Sequence, residues 1–290
     1  MPYLIPVQYH RYKYPQHIQP AIQEVAGHFD ISKLKSNGKY SLHTEYSYSH
    51  RKFNTECIKP YKHIIEANQQ GIPKLWFNEQ WSIELSDFIV SLVGKNEPPS
   101  IIEIHPPFSD YSNIPRFIDN YKVFHSYISK AFPDTNIFIE NRSGSRYRKG
   151  KFIVSNVKQL ISLSEMIDQK NISLKITLDL PQLFTAHGIS PSKKHEMIQL
   201  FTHIKSIRHN IAGIHLWGKK IGISGRKITH QGDLNDYFNN LTDFKQQFLQ
   251  SMYEAFDDEK KRYFVPEVNS CSEDLQSIIQ DLENSGFNFV

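Results

Sequence analysis

Six side chains spread along the 290-residue sequence share one kind of chemistry: His43, His105, Glu140, Asp179, His215 and Glu267 are all imidazoles or carboxylates. Each closes a short apolar, β-rich run. Imidazole nitrogen and carboxylate oxygen are the donors that suit Zn²⁺, Mn²⁺ or Fe²⁺, and an acidic bridging residue lets two such ions sit a few ångströms apart. Taken singly, each has an ordinary explanation. Asp179 reads as a turn or helix-cap residue, His43 or His215 as a hydrogen-bonded imidazole, Glu267 as a loop carboxylate after Pro266, and Glu140-Asn141 as the opening of a turn. Taken together, these explanations must account for six successive runs that all end in a metal-ligand type. Three carboxylates gathered in one concavity would also repel one another and raise their own pKa values. A bound dication removes that penalty.

The elements that must position these residues alternate. Residues 4–9 read as a first strand, 15–25 as a helix, and 27–31 as a short second strand. Further strands fall at 40–43, 100–105, 136–140, 173–179, 211–216 and 263–268, and Pro106-Pro107 forbids continuation of the fourth ladder. Between them lie apolar residues at helical spacing: Ile58, Tyr61, Ile64, Ile65 and Ala67; Val157, Leu160, Ile161 and Ile167; and Phe238, Leu241, Phe244, Phe248, Met252 and Phe256. The stretch 57–99 is long enough for two helical pieces. Strands alternating with helices imply βαβ crossovers and a parallel sheet. About eight such units over this length fit an α/β fold, a (β/α)₈ TIM barrel, in which the C-terminal strand ends share one mouth. No Pro/Gly/Ser-rich linker divides the chain, so residues 1–290 are expected to form a single domain.

Composition bounds the function more loosely. The chain is 39% hydrophobic and 13% aromatic, enough for a sizeable core. No stretch approaches the roughly 20 apolar residues that cross a bilayer, and the first residues do not read as a secretion signal. Only Cys57 and Cys271 are present, which argues against a disulfide framework and for a reducing, cytoplasmic setting. The formal charge of +4 and pI near 8.8 are compatible with a polyanionic partner without requiring one. Fourteen histidines make metal ligation the more informative signal.

The residues that carry the strand ends resemble the endonuclease IV family of apurinic/apyrimidinic endonucleases, within the wider xylose-isomerase-like barrel superfamily. Ile104-His105-Pro106 resembles the family's fourth-strand signature. Ile139-Glu140-Asn141, followed by Gly144 and Gly150-Lys151-Phe152, resembles its Glu-Asn-x-x-Gly stretch. Leu178-Asp179-Leu180, Gly213-Ile214-His215-Leu216 and Glu267 fall in the order of its sixth, seventh and eighth strands. The resemblance implies a trinuclear zinc site that cleaves the phosphodiester 5′ to an abasic sugar. Carried over, His43, His105 and Glu140 hold one ion, and Glu140 bridges to a second held by Asp179, His215 and Glu267. His230 is the remaining ligand for a third. The sequence departs from the family there: Gln182 stands where a histidine is wanted, and Ile228 precedes Thr229-His230 where an Asp-x-His pair is wanted. Asp233 and His187 are nearby substitutes outside the family positions. Two or three divalent ions are expected, Zn²⁺ first, with Mn²⁺ or Fe²⁺ suiting the same donors. Metal-activated water is the expected nucleophile, with Glu140 and Glu267 as the catalytic carboxylates.

The segment 142–151 follows Glu140 with five basic residues and a tyrosine. Arg142, Arg146, Tyr147, Arg148 and Lys151 are candidate substrate contacts, by phosphate pairing and base stacking. Lys219 and Lys220, with Arg226 and Lys227, lie after the seventh strand on the same rim. His10, Arg11, Tyr12 and Lys13 follow the first. A solvated loop is the ordinary reading of such charge runs. The expectation is a metal-dependent hydrolase of nucleic acid, DNA first, acting at abasic or damaged sites in DNA repair. A sugar isomerase or epimerase of the same superfamily is the alternative. It would use Glu140, Asp179, His215 and Glu267 around one ion, with the two glutamates moving a proton at carbon; His43 and His105 separate the two readings, since a one-ion epimerase has no need of them. A non-catalytic binding module that kept the barrel is a third class.

Overall fold

Eight short segments of the chain are extended and parallel: β1 (Tyr3–Gln8), β2 (Ile22–Ala26), β3 (Tyr40–His43), β4 (Ile101–Ile104), β5 (Asn136–Glu140), β6 (Lys175–Asp179), β7 (Ile211–Leu216) and β8 (Lys261–Pro266). In the computed structural model they follow one another in sheet order, and β1 also pairs with β8. This is the expected eight-stranded (β/α)₈ barrel surrounded by helices. A short ninth strand, Asn288–Phe289, adds to β1. The structure describes residues 1–36, 38–44, 55–68, 71–144, 146–147, 149–222 and 225–290, with side chains at 55, 146 and 147 left aside.

The chain packs as two compact units. One comprises residues 1–23 and 178–290, the other residues 24–177. In the second, His43 pairs with Glu103 and Ile104 with Ile139, a register that brings the last residues of β3, β4 and β5 level. Helices Glu79–Val93, Ile114–Ala131 and Val157–Gln169 flank these strands. Each starts at an asparagine whose side chain accepts an amide from the first turn: Asn78 from Trp81, Asn113 from Arg116 and Asn156 from Gln159. The last is a reciprocal capping box. Trp76 is buried among Trp81, Phe117 and Phe124, with ring centroids 5.0–5.4 Å apart.

In the first unit, β8 pairs with both β1 and β7, placing Val265 opposite His215. Helices Leu180–His187, Lys194–Ile207, Thr242–Phe256 and Ser272–Asn284 complete it, around a cluster of Phe184, Phe201, Phe238 and Phe248. Arg262 on β8 is buried, with a two-pronged pair to Asp258 at 2.8 Å and bonds to the carbonyls of Ile211 and Arg208.

Two expectations are corrected. Residues 15–25 do not form a helix, and 27–31 is not a strand: the second strand is Ile22–Ala26, paired with β1 at Val7–Ile22. The reason is local. Pro20 lacks an amide donor and disfavours helical geometry at Gln19, the amide of Ala21 bonds to the carbonyl of Pro6, and Tyr14 anchors the loop through Val7. The first crossover therefore contains no helix. The apolar run 238–256 is likewise not continuous. Asn239 and Asn240, at φ of 52° and 59°, break it before Thr242–Phe256 begins.

Candidate metal centre

Within the second unit, the ends of β3, β4 and β5 bring His43, His105 and Glu140 together. One potential ligand atom from each lies within 4.8 Å of the others. His105 Nε2 is 2.7 Å from Glu140 Oε2 and 3.3 Å from His43 Nε2, and His43 Nε2 is 3.5 Å from the same carboxylate oxygen. Two ligands about 2.1 Å from a tetrahedral ion stand about 3.4 Å apart, so the donor set fits a divalent cation in type and spacing. His105 and Glu140 are buried. The carbonyl of His105 is held by Trp76 Nε1 at 2.9 Å, and the carbonyl of Trp76 by Asn120.

Two further carboxylates stand behind His43. Glu24 Oε1 is 3.0 Å and Glu103 Oε1 3.6 Å from its Nδ1. Thr177 donates to the other oxygen of Glu103 at 2.8 Å. Burial alone would lower the pKa of His43, but Glu24, Glu103 and Glu140 together lift it to about 10. The cluster thus demands positive charge, and a divalent ion meets that demand while leaving the imidazole free to ligate. Glu24 and Glu103 were not singled out from sequence. Glu24 sits on the strand misread as helix, and Glu103 interrupts the apolar run of β4, the one signal that would have marked it.

Within the first unit, Asp179, His215 and Glu267 form a second group, again with ligand atoms within 4.8 Å and all three buried. Asp179 is also the helix cap that its sequence context suggested: Oδ1 accepts the amide of Gln182, while Oδ2 accepts Gln182 Nε2 at 2.8 Å and Trp217 Nε1 at 3.1 Å. Those contacts fix the orientation of the carboxylate. Burial would raise the pKa of Glu267, but His215 and His230 hold it well below the usual carboxylate range. His215 Nδ1 is 3.4 Å and His230 Nδ1 3.3 Å from its two oxygens. His230 stacks on Trp217 at 4.4 Å between centroids.

The ligands considered for a third ion do not gather. His230 reaches Glu267 but joins no three-donor group among the described residues. Asp233 caps helix Leu234–Tyr237 and accepts from Asn235 and Ser277. His187 ends helix Leu180–His187 and belongs to no donor group among the described residues.

The expected substrate contacts divide. Arg142 is turned inward: it is buried, lies 3.9 Å from Glu140 and stacks on Phe152. Lys151 is exposed on the hairpin Arg146–Tyr147 with Gly150–Lys151. The side chains of Arg146 and Tyr147, and the whole of Arg148, lie outside the described residues. Lys219 and Lys220 are on a second hairpin, Lys219–Ile221 with Lys227–Thr229. Lys220 approaches Asp236 at 4.0 Å, and Lys219 lies over the rings of Trp217 and Tyr237. No helix among the described residues is long and apolar enough to cross a membrane.

Barrel and buried His/carboxylate sets together define a metal-using barrel enzyme. No family model and no curated protein matches the chain. Among solved structures it is similar to one named AsfvAP:AG (14% identity, covering 84% of each chain, TM-score 0.48). It is also similar to endoglucanase Cel5A from Thermotoga maritima (11%, 86% of this chain and 85% of that one, 0.46). A third is 3-keto-D-glucoside 4-epimerase YcjR from E. coli (7%, 97% and 98%, 0.40). At these identities and scores no activity is carried to this chain.

Proposed function

We propose that this protein is a divalent-metal-dependent phosphodiesterase acting on nucleic acid, in the manner of the endonuclease IV family that its strand-end motifs resemble. The observation that carries the reading is the presence of two donor sets, His43/His105/Glu140 and Asp179/His215/Glu267, each complete within its own unit. A one-ion epimerase using Glu140, Asp179, His215 and Glu267 has no need of His43 and His105. When bound, the ions supply Lewis acidity, lowering the pKa of water and offsetting charge on the phosphoryl oxygens. The chain's own residues hold the donors in place. Glu24 fixes the tautomer of His43 from behind, Gln182 and Trp217 fix Asp179, and His215 with His230 keeps Glu267 ionised. Lys151, Lys220 and Arg226 are exposed cations suited to phosphate contact. Zn²⁺ fits the mixed imidazole and carboxylate sets, and DNA bearing an abasic or damaged site is the substrate the resemblance favours.

A second reading has its own support. Gln182, which stands where the family has a histidine, donates to Asp179, and Arg142, an expected substrate contact, is buried beside Glu140; both count against a standard abasic-site nuclease and leave room for a sugar isomerase or epimerase. Elemental analysis of the purified protein, paired with an abasic duplex, a plain single strand and a ketose panel, separates the two. The nuclease reading expects about two ions per chain and cleavage of the duplex. Glu140→Gln should lower that cleavage by about 10³-fold or more at an unchanged unfolding temperature. Ketose turnover without phosphodiester cleavage would replace this reading with the isomerase.

A further inference from the structure

Apart from the two donor sets, the first unit contains a cavity of about 230 Å³. Phe184, Ile189, Pro191, Phe238 and Phe244 give it an apolar wall, and Lys219 and Lys227 stand on one side. Those two lysines share a hairpin face. The register pairs Lys219 with Thr229 and Ile221 with Lys227, so Lys219 and Lys227 are diagonal neighbours pointing the same way. Like charges set diagonally against an apolar cavity repel, and an anion between them removes the repulsion. Lys219 is already oriented: its Nζ donates to Thr185 Oγ1 at 3.2 Å and sits 5.3–5.4 Å from the ring centroids of Trp217 and Tyr237. Its pKa is lowered, first by burial and then by Lys227, with Asp179 opposing.

We propose that this cavity binds a small organic anion, a single apolar ring carrying a phosphate or carboxylate, with the ring against Phe184 and Phe238 and the charge between Lys219 and Lys227. Size supports a ring. An apolar cavity of about 150 Å³ accepts benzene, so the larger volume here holds one ring with its charged substituent. Ser190 and Asn239, also on the wall, offer polar contacts at the margin. The site is independent of which reaction the metal centre performs.

Calorimetry on the metal-loaded full chain tests this with phenyl phosphate, benzoate, inorganic phosphate and benzyl alcohol. The ring-bearing anions are expected to bind about tenfold or more tighter than inorganic phosphate or the neutral alcohol, since only they use both walls. The tighter of phenyl phosphate and benzoate identifies the charged group. Lys227→Glu reverses an exposed charge and should weaken the ring-bearing anions by about tenfold or more, and Ser190→Trp should do the same by filling the space. Equal binding of phenyl phosphate and inorganic phosphate, untouched by either variant, would put the anion on the metal ions and overturn the proposal. So would the absence of ring-anion binding at millimolar concentration.

Discussion

Replacing Glu24 by glutamine tests whether the carboxylate behind His43 governs the set formed by His43, His105 and Glu140. Glu24 Oε1 lies 3.0 Å from His43 Nδ1, on the opposite edge of the ring from Nε2, which faces His105 and Glu140. A carboxylate accepting Nδ1–H fixes the tautomer that leaves the Nε2 lone pair for a cation, and it makes that nitrogen more basic. Loss of such a partner costs about 10–100-fold in metal affinity. Here the lower end applies. Glu103 Oε1 is 3.6 Å from the same Nδ1, beyond a good hydrogen bond but close enough to keep part of the electrostatic support. The expected loss is therefore about tenfold, or ~1.4 kcal/mol. Chelator competition on the loaded protein, following ions released per chain, reads it directly. One ion should leave about tenfold more readily while the ion at Asp179, His215 and Glu267 is unaffected. Equal weakening of both ions, or of neither, would refute the orienting role and the independence of the two sets.

Three further outcomes follow from the same geometry. Arg262→Met strands Asp258 beside the helix end, with Arg208 at 3.5 Å as partial relief, and should lower the unfolding free energy by about 3 kcal/mol in a denaturant titration. Burial would raise the pKa of Asp258, but Arg262 and Arg208 hold it below normal, so this stabilisation is fully present above the unfolded-state pKa of about 3.9. It should be lost as pH falls through the folded value, and the acid limb of the stability profile should be shallower in Arg262→Met. At Gly218, just past β7, an added Cβ would stand 2.2 Å from the backbone oxygen of Gly232. Gly218→Ala should therefore cost about 1–3 kcal/mol by the same titration and loosen Trp217 from Asp179, seen as a change in indole emission.

The barrel was legible because its signals are local and repeated. Apolar runs of four to six residues closed by a His or carboxylate, with helix-spaced apolar residues between, leave few topologies. The donor sets were legible for the same reason, since β3 to β8 each present the residue within one position of the strand end. What escaped was set by tertiary contact. Ile22, Val25 and Ala26 have helical spacing, and only pairing with Val7 reveals a strand, so Glu24 went unnoticed. Arg142 belongs to a basic run that reads as solvated, yet its amide bonds to the carbonyl of Val154 and its guanidinium lies against Phe152. Charge content does not tell which member of a run turns inward. Asp233 shows the converse: beside a vacancy in the family pattern it invites a metal role, and in place it caps a helix.

The pairing of β1 with β8 and with Asn288–Phe289 sets an order on assembly. His43, His105 and Glu140 precede Asp179, His215 and Glu267 in the sequence, so every donor of the first set is synthesised before any donor of the second. The opening strand must wait for its partner. At ~5–20 residues per second, the roughly 250 residues between β1 and β8 take about 13–50 s. For that interval β1 is an unsatisfied edge in the nascent polypeptide, the segment a chaperone would have most reason to hold.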